Sequence, residues 1–221
     1  MTVRSADLAI YGGTFDPVHR GHLAIARAVS DHLDTDVCFV PAHRPPHKDR
    51  LLTSSTDRLA MLNLALSGQP RFQIDELELH RDEPSYTIDT VADFRSRVGE
   101  EARLYFVLGE DAYRSLPSWK AWRDLLDFVH LIVCRRRHKA ALSKALSDLE
   151  AQRMISSVSA LKQAPRGGIF CFQQPEYDVS STAIRRKLQL DQSLQDDLDP
   201  KVYQFIREQR LYLKQDESMS I

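Results

Sequence analysis

The chain has 221 residues, enough for one large α/β domain and short of what two full domains need. Hydrophobic residues make up 43% and charged residues 28%, an ordinary globular balance that excludes wholesale disorder. The formal net charge of -1 argues against a general nucleic-acid binder held by phosphate charge, while leaving room for a local basic pocket.

Taken in chain order, short apolar runs alternate with segments of helical period. Leu8-Ala9-Ile10-Tyr11 predicts a first strand, stopped by Gly12-Gly13. From His22 to Leu33 the apolar positions Ile25, Ala28, Val29 and Leu33 predict a helix. Val37 to Val40 predicts a second buried strand, followed by a Pro-rich loop from Pro41 to Asp49. Leu59, Leu62 and Leu66 mark the next helix. Phe72, Ile74, Leu77 and Leu79 suggest an extended segment with one break in phase. Ile88, Val91 and Ala92 begin another helix, which Ser85 or Thr87 would cap. Leu104 to Leu108 is a strand ending at Gly109. Trp122, Leu125, Leu126 and Val129 line an expected helix, so Trp122 is read as core. Leu131 to Cys134 and Ile169 to Phe172 predict the last two strands. Ser180 or Ser181 opens a late helix, and Asp199-Pro200 opens the final one, with Val202, Phe205 and Ile206 as its stripe.

Near-continuous apolar strands separated by helices imply a parallel sheet covered on both faces. The expected architecture is α/β: a doubly wound, Rossmann-like sheet forming a single domain over residues 1–213, with residues 214–221 as a flexible tail. Cys38, Cys134 and Cys171 sit in apolar runs and read as buried thiols. Arg4 and Asp7 interrupt any signal-peptide run, and no window approaches a membrane span, so the cytoplasm is the expected compartment.

In such folds ligands sit beyond the carboxyl ends of the strands. The loop after the first strand reads Gly12-Gly13-Thr14-Phe15-Asp16-Pro17-Val18-His19-Arg20-Gly21-His22. Glycines let backbone approach a ligand, and a helix start offers N–H groups and a positive dipole end to phosphate. His19 and His22, three apart at the helix mouth, could donate to phosphate oxygens and stabilise charge that develops during transfer. The loop is neither GxGxxG nor GxxxxGK[ST], which disfavours both a hydride-transfer site and a P-loop. For either histidine alone a plain surface role would be the better reading; the pair in this strand–loop–helix setting reverses that. Further along, Lys48 in Pro45-Pro46-His47-Lys48 could meet phosphate as a point charge, with His43, Arg44 and His47 as weaker candidates. Asp111, beyond a strand end, suits a ribose hydroxyl pair, or else caps a helix. Trp119 could stack on a flat ring or belong to the core. Arg185 at the late helix makes a second anion site. Arg135, at the head of the Arg135-Arg136-Arg137 run, is a phosphate candidate by position, against a default of solvated charge.

The eleven-residue loop string resembles the (T/H)xGH nucleotidyltransferases, whose motif is GG(T/S)FDPxHxGH in the nicotinate mononucleotide branch. The resemblance extends from Leu8 to about Leu213 with the motifs in order, and implies that His19 and His22 hold the ATP phosphates and stabilise the pentavalent transition state. It implies ATP contacts at Gly12, Gly13, Thr14, Phe15, Lys48, Gly109, Asp111, Ser181, Thr182 and Arg185. The PSYTxxT and PxW segments imply mononucleotide contacts at Tyr86, Thr87 and Trp119, to which Arg135 is added from its position. Two departures stand out: Val179 replaces Ile in the ISSTxIR signature, and Lys120 follows Trp119 where some relatives carry an aromatic residue. The implied reaction moves the adenylyl group of ATP onto nicotinate mononucleotide, with Mg²⁺ on the ATP phosphates and no protein metal cage. No nucleic acid or membrane partner is expected; a homo-oligomer is left open. The alternatives are nicotinamide mononucleotide or phosphopantetheine as acceptor, a catalytically silent nucleotide-binding regulator, and, weakened by the net charge, a nucleic-acid-binding protein.

Overall fold

The computed structural model describes residues 7–44, 52–135, 141–173 and 179–213. Six strands form one parallel sheet: β1 (Asp7–Gly13), β2 (Asp36–Pro41), β3 (Phe72–Ile74), β4 (Arg103–Gly109), β5 (His130–Arg135) and β6 (Ile169–Gln173). Their spatial order is β3-β2-β1-β4-β5-β6, so the direction of winding reverses between β1 and β4. The helices are α1 (Arg20–Leu33), α2 (Ser55–Leu66), α3 (Thr87–Val98), α4 (Glu110–Ser115), α5 (Lys144–Arg153), α6 (Val158–Leu161), α7 (Ser181–Gln189) and α8 (Pro200–Glu208).

Successive strand residues point to opposite faces, and each face has its own core. Ala9, Tyr11, Val37, Phe39, Tyr105 and Val107 face a layer that includes Val29 of α1, Leu62 of α2, Ile184 of α7 and Val202 of α8. Leu8, Ile10, Cys38, Val40, Leu104 and Phe106 face the other, with Val91 of α3, Tyr113 of α4 and Leu146 of α5. Burial on both sides is why the strands read as unbroken apolar runs. The Rossmann-like expectation therefore holds. Cys38 and Cys134 are buried, Cys171 is half-buried, and all three thiols are free. Among the described residues no helix is long and apolar enough to cross a membrane.

Three elements differ from the sequence reading. The phase break after Ile74 marks a change of structure: Leu77–His80 is a 3-10 helix, so Leu77 and Leu79 are not extended. The expected helix through Trp122 reduces to a 3-10 turn at Asp124–Asp127, because Ala121 adopts a left-handed φ of 50° just before it. Trp122, Leu125 and Leu126 are nevertheless buried as expected, since a short turn presents the same apolar stripe. The third is the cap of α3: it is Tyr86, with no side-chain hydrogen bond, while the Ser85 hydroxyl accepts from the His43 and Arg44 amides.

The amino-terminal edge of the sheet is tied by one guanidinium. Arg95 of α3 is 4% exposed and donates to five backbone carbonyls, those of Gly99, Glu100, Ala102, Phe128 and Pro165. These carbonyls lie on the approaches to β4, β5 and β6, away from the ligand end. Removing the donors strands the buried Ala102 carbonyl and leaves the half-buried Phe128 and Pro165 carbonyls without their partner. Arg95→Met is expected to lose about 3 kcal/mol of unfolding free energy in urea titrations, with little effect on ligand binding by the folded fraction.

Candidate functional site

The loop from Gly12 to His19 crosses the carboxyl end of β1 and enters α1 by an unusual cap. His19 is the N-cap residue, in extended conformation, and its Nδ1 accepts the His22 amide at 3.3 Å. His22 Nδ1 accepts the His19 amide at 3.2 Å in return. This is a capping box built from two imidazoles. Each Nδ1 is used as an acceptor, so a neutral ring carries its proton on Nε2. The rings stack at 3.6 Å between centroids and 22° between planes. His19 is 7% exposed, and burial holds its pKa down to about 4 against a weaker upward pull from Asp197. Two imidazolium ions at that spacing would repel by roughly 5 kcal/mol at an effective dielectric of 20. His19 therefore offers a neutral Nε2–H donor at neutral pH, beside a His22 ring whose Nδ1 is taken up by the cap. Gly21 is needed beside them: a Cβ there would lie 2.9 Å from Val179 Cγ1 and 3.0 Å from His19 Nδ1.

Phe15, buried and at a left-handed φ of 49°, turns the loop and packs edge-on against Tyr11 and His22. Asp16 holds the loop in place. Its carboxylate oxygens accept from the Thr53 hydroxyl at 2.7 Å, the Leu52 amide at 3.1 Å and the Tyr212 hydroxyl at 2.6 Å. Burial and the Asp16 contact push the Tyr212 phenol pKa up, so it stays a donor. The fully buried Arg58 of α2 donates to the Thr14 carbonyl at 2.8 Å. From α7, Arg185 donates to the Asp16 carbonyl at 2.7 Å and to Thr182 Oγ1 at 3.2 Å, and Ser181 Oγ donates to the Pro17 carbonyl at 3.0 Å.

The loop edges a cleft of two lobes at the switch between β1 and β4. One lobe, about 450 Å³, is lined by His19 and His22, by Ser181, Thr182 and Arg185, and by Gly109 and Asp111 past the end of β4. The other, about 290 Å³, is lined by Tyr86, Thr87, Trp119 and Lys120. The lobes share Gly12, Gly13, Thr14, Phe106, Ala112 and Trp119. Phe15 lines the larger lobe only.

The structure thus brings the sequence candidates together in this cleft, except Lys48, Arg135 and the weaker candidates His43, Arg44 and His47. Lys48, with His47, lies outside the described residues. Arg135 lines neither lobe, and its guanidinium is paired with Glu150 of α5. Of the weaker candidates, His43 Nδ1 is within 2.9 Å of the Ser55 hydroxyl, and Arg44 donates to the Asp82 carbonyl. Sequence reasoning missed Arg58 and Tyr212, whose partners are far along the chain. It also missed Glu78, a buried acid of the smaller lobe that accepts from Thr90 Oγ1 at 2.6 Å and whose pKa burial pushes up. A lone Glu in an acidic stretch carries no signal of burial. Among the described residues no group of three or more His, Cys, Asp or Glu could hold a metal ion.

Comparison with known proteins adds a family. The cytidylyltransferase-like family model matches residues 10–187. A "probable nicotinate-nucleotide adenylyltransferase" of Klebsiella pneumoniae is 38% identical over 207 residues, covering 92% of this chain and 96% of its own. One of the same name from Pseudoalteromonas atlantica is 40% identical over 207 residues, covering 93% and 94%. In three dimensions the chain is similar to a Plasmodium falciparum nicotinic acid mononucleotide adenylyltransferase complexed with NaAD, at TM-score 0.70 and 20% identity, covering 93% of this chain and 97% of that one. At that identity the likeness concerns the fold.

The depressed His19 pKa has a consequence for stability. Above pH about 6.5 the ring is neutral whether the chain is folded or not; between about 6.5 and 4 only the unfolded chain takes up the proton. Stability should fall as pH falls through that window, by up to about 3 kcal/mol from this group. His19→Asn keeps a good N-cap acceptor and is expected to flatten that part of the profile while changing stability at pH 7 little. Urea unfolding at pH 7, 6, 5 and 4 checks this; an unaltered slope in the variant counts against it.

Proposed function

This chain belongs to the cytidylyltransferase-like family and, within it, to the nicotinate-nucleotide adenylyltransferases, and from that premise we infer that it transfers the adenylyl group of ATP to nicotinate mononucleotide. The observation that carries the residue roles is the reciprocal histidine cap at the wall of the larger lobe. We assign the ATP phosphates to this lobe, against the Nε2–H groups of His19 and His22, with Arg185 as a fixed cation at the opposite helix. Gly109 and Asp111 are assigned to the adenosine end, where a carboxylate suits a pair of ribose hydroxyls. Tyr86, Thr87 and Trp119 are assigned to the pyridine nucleotide in the smaller, more apolar lobe.

In the reaction a 5′-phosphate oxygen of the mononucleotide forms a bond to the α-phosphorus of ATP. The bond from that phosphorus to the α–β bridging oxygen breaks, and pyrophosphate carries the electron pair away. The attacking phosphate is already ionised, so no side chain need act as nucleophile or strong base. What the protein supplies is alignment and charge stabilisation. Neutral donors held by backbone hydrogen bonds need no reorganisation as negative charge moves toward the leaving group. Mg²⁺ carried on the ATP phosphates would neutralise part of that charge.

Two kinetic outcomes test the assignments, read by pyrophosphate release. His22→Ala and His19→Asn are each expected to lower kcat by about a hundredfold, and near-normal turnover in both would remove their role. Trp119→Ala is expected to raise KM for the mononucleotide by about tenfold while moving KM for ATP less than about twofold. An equal change in both would assign Trp119 to the shared wall instead.

A further inference from the structure

Among the described residues lining the smaller lobe, Lys120 is the one cation and Glu78 the one acid. The two are placed differently. Glu78 is buried, its carboxyl is engaged by Thr90 Oγ1 at 2.6 Å, and burial works against its ionisation. Lys120 is half solvated; its Nζ lies 3.1 Å from Asp89 Oδ2 and 4.5 Å from the centre of the Tyr86 ring. The ammonium is thus poised over one aromatic wall of the lobe and follows directly on the other, Trp119. Its present anion, Asp89, is a half-exposed surface partner, and such pairs are weak enough to exchange.

We propose that Lys120 is a specificity-determining residue: its ammonium makes the lobe favour a pyridine bearing a carboxylate over one bearing an amide. The inference rests on the assignment of the mononucleotide to this lobe. A pyridine in this lobe shares it with an ammonium that lies 4.5 Å from the centre of the Tyr86 ring. A carboxylate there shares or displaces Asp89 on Lys120, whereas a neutral amide of nearly the same shape gains no charge attraction. Among the described residues lining the lobe, Lys120 is the one cation with which a carboxylate there can pair. Packing alone separates acid from amide poorly, because the two groups are nearly isosteric.

The test uses the full chain and two acceptors, nicotinate mononucleotide and nicotinamide mononucleotide. kcat/KM is measured by pyrophosphate release, and binding without ATP by quenching of tryptophan fluorescence. Lys120→Met is expected to lower the acid-to-amide ratio about fivefold, which corresponds to about 1 kcal/mol, entirely through the acid. Lys120→Arg should keep the ratio within about twofold of the parent. Asp89→Asn, which removes the competing anion, should raise it about twofold. The parent's preference should shrink in concentrated salt. An unchanged ratio in Lys120→Met, or an equal loss on both acceptors, overturns the proposal. Unchanged KM for ATP and thermal midpoint certify that the variant is folded. A parent chain that releases pyrophosphate with neither mononucleotide overturns the adenylyl-transfer reading itself, and this inference with it.

Discussion

The chemistry of the cleft depends on how one helix begins. An α-helix starts with unpaired amides; in α1 the Arg20 amide goes to the Asp197 carbonyl, while the His22 amide and that of the cap residue His19 go to two imidazoles that line the larger lobe. Because both Nδ1 atoms accept backbone hydrogen at 3.2–3.3 Å, neither ring can rotate without breaking a cap bond. Position, tautomer and charge state are thereby set together. The stacking at 3.6 Å closes the option of a doubly charged pair. Gly21 follows from the same geometry, since any Cβ would press on the His19 ring. A histidine that merely pointed at solvent would have to be ordered on binding, at a cost in side-chain entropy that this arrangement has already met through folding.

That cap is only as rigid as the loop leading into it, and the loop is held by distant parts of the chain. Asp16 gathers donors from Leu52, Thr53 and Tyr212, the last 196 positions away. Arg58 fixes Thr14 from α2, and Arg185 and Ser181 fix Asp16 and Pro17 from α7. Burying these groups is tolerable because each makes hydrogen bonds, with Arg58 Nε the one nitrogen of its guanidinium left without a partner. The arrangement also means that Arg185 has two tasks: it supports the loop from outside while lining the lobe in which the phosphates are proposed to lie. Its loss would therefore combine two effects that kinetics alone would not separate.

Much of this was legible in the sequence, and what was not has a physical reason. The strands showed because both their faces are covered. The start of α1 was placed at His22, whereas it lies at Arg20, because the usual cap signal is Ser, Thr, Asp or Asn and a histidine cap does not resemble it. Ser85 satisfied that signal yet serves the His43–Arg44 backbone instead, leaving Tyr86 at the cap. Arg135 stands at a strand end, but its partner Glu150 lies fifteen residues on, a pairing that no local pattern announces. Trp122 was read as core from its spacing, correctly, although the helix assumed for it is a single turn. Periodicity reports which side is buried more faithfully than it reports the backbone that buries it.

The two lobes meet where the sheet reverses its winding, and this placement has a consequence for the reaction. Between β1 and β4 the connecting loops diverge to opposite faces, which opens a crevice there. The wall common to both lobes is backbone-rich, Gly12-Gly13-Thr14, with Phe106 beneath it. A Cβ on Gly13 would come within 3.0 Å of the Phe15 ring, so the wall stays thin only because that residue has no side chain. On the assignments proposed here, an acceptor phosphate leaving the apolar lobe and a triphosphate lying along the histidines approach each other across this strip. Two anions converge only where charge is answered locally. The larger lobe answers it with imidazole N–H groups and Arg185, while the smaller lobe keeps its own acid, Glu78, buried and bonded to Thr90. The lobes thus differ chiefly in their polar groups: the imidazoles and the Arg185 guanidinium line the larger lobe alone, while Gly12, Gly13 and Thr14 belong to the wall shared by both.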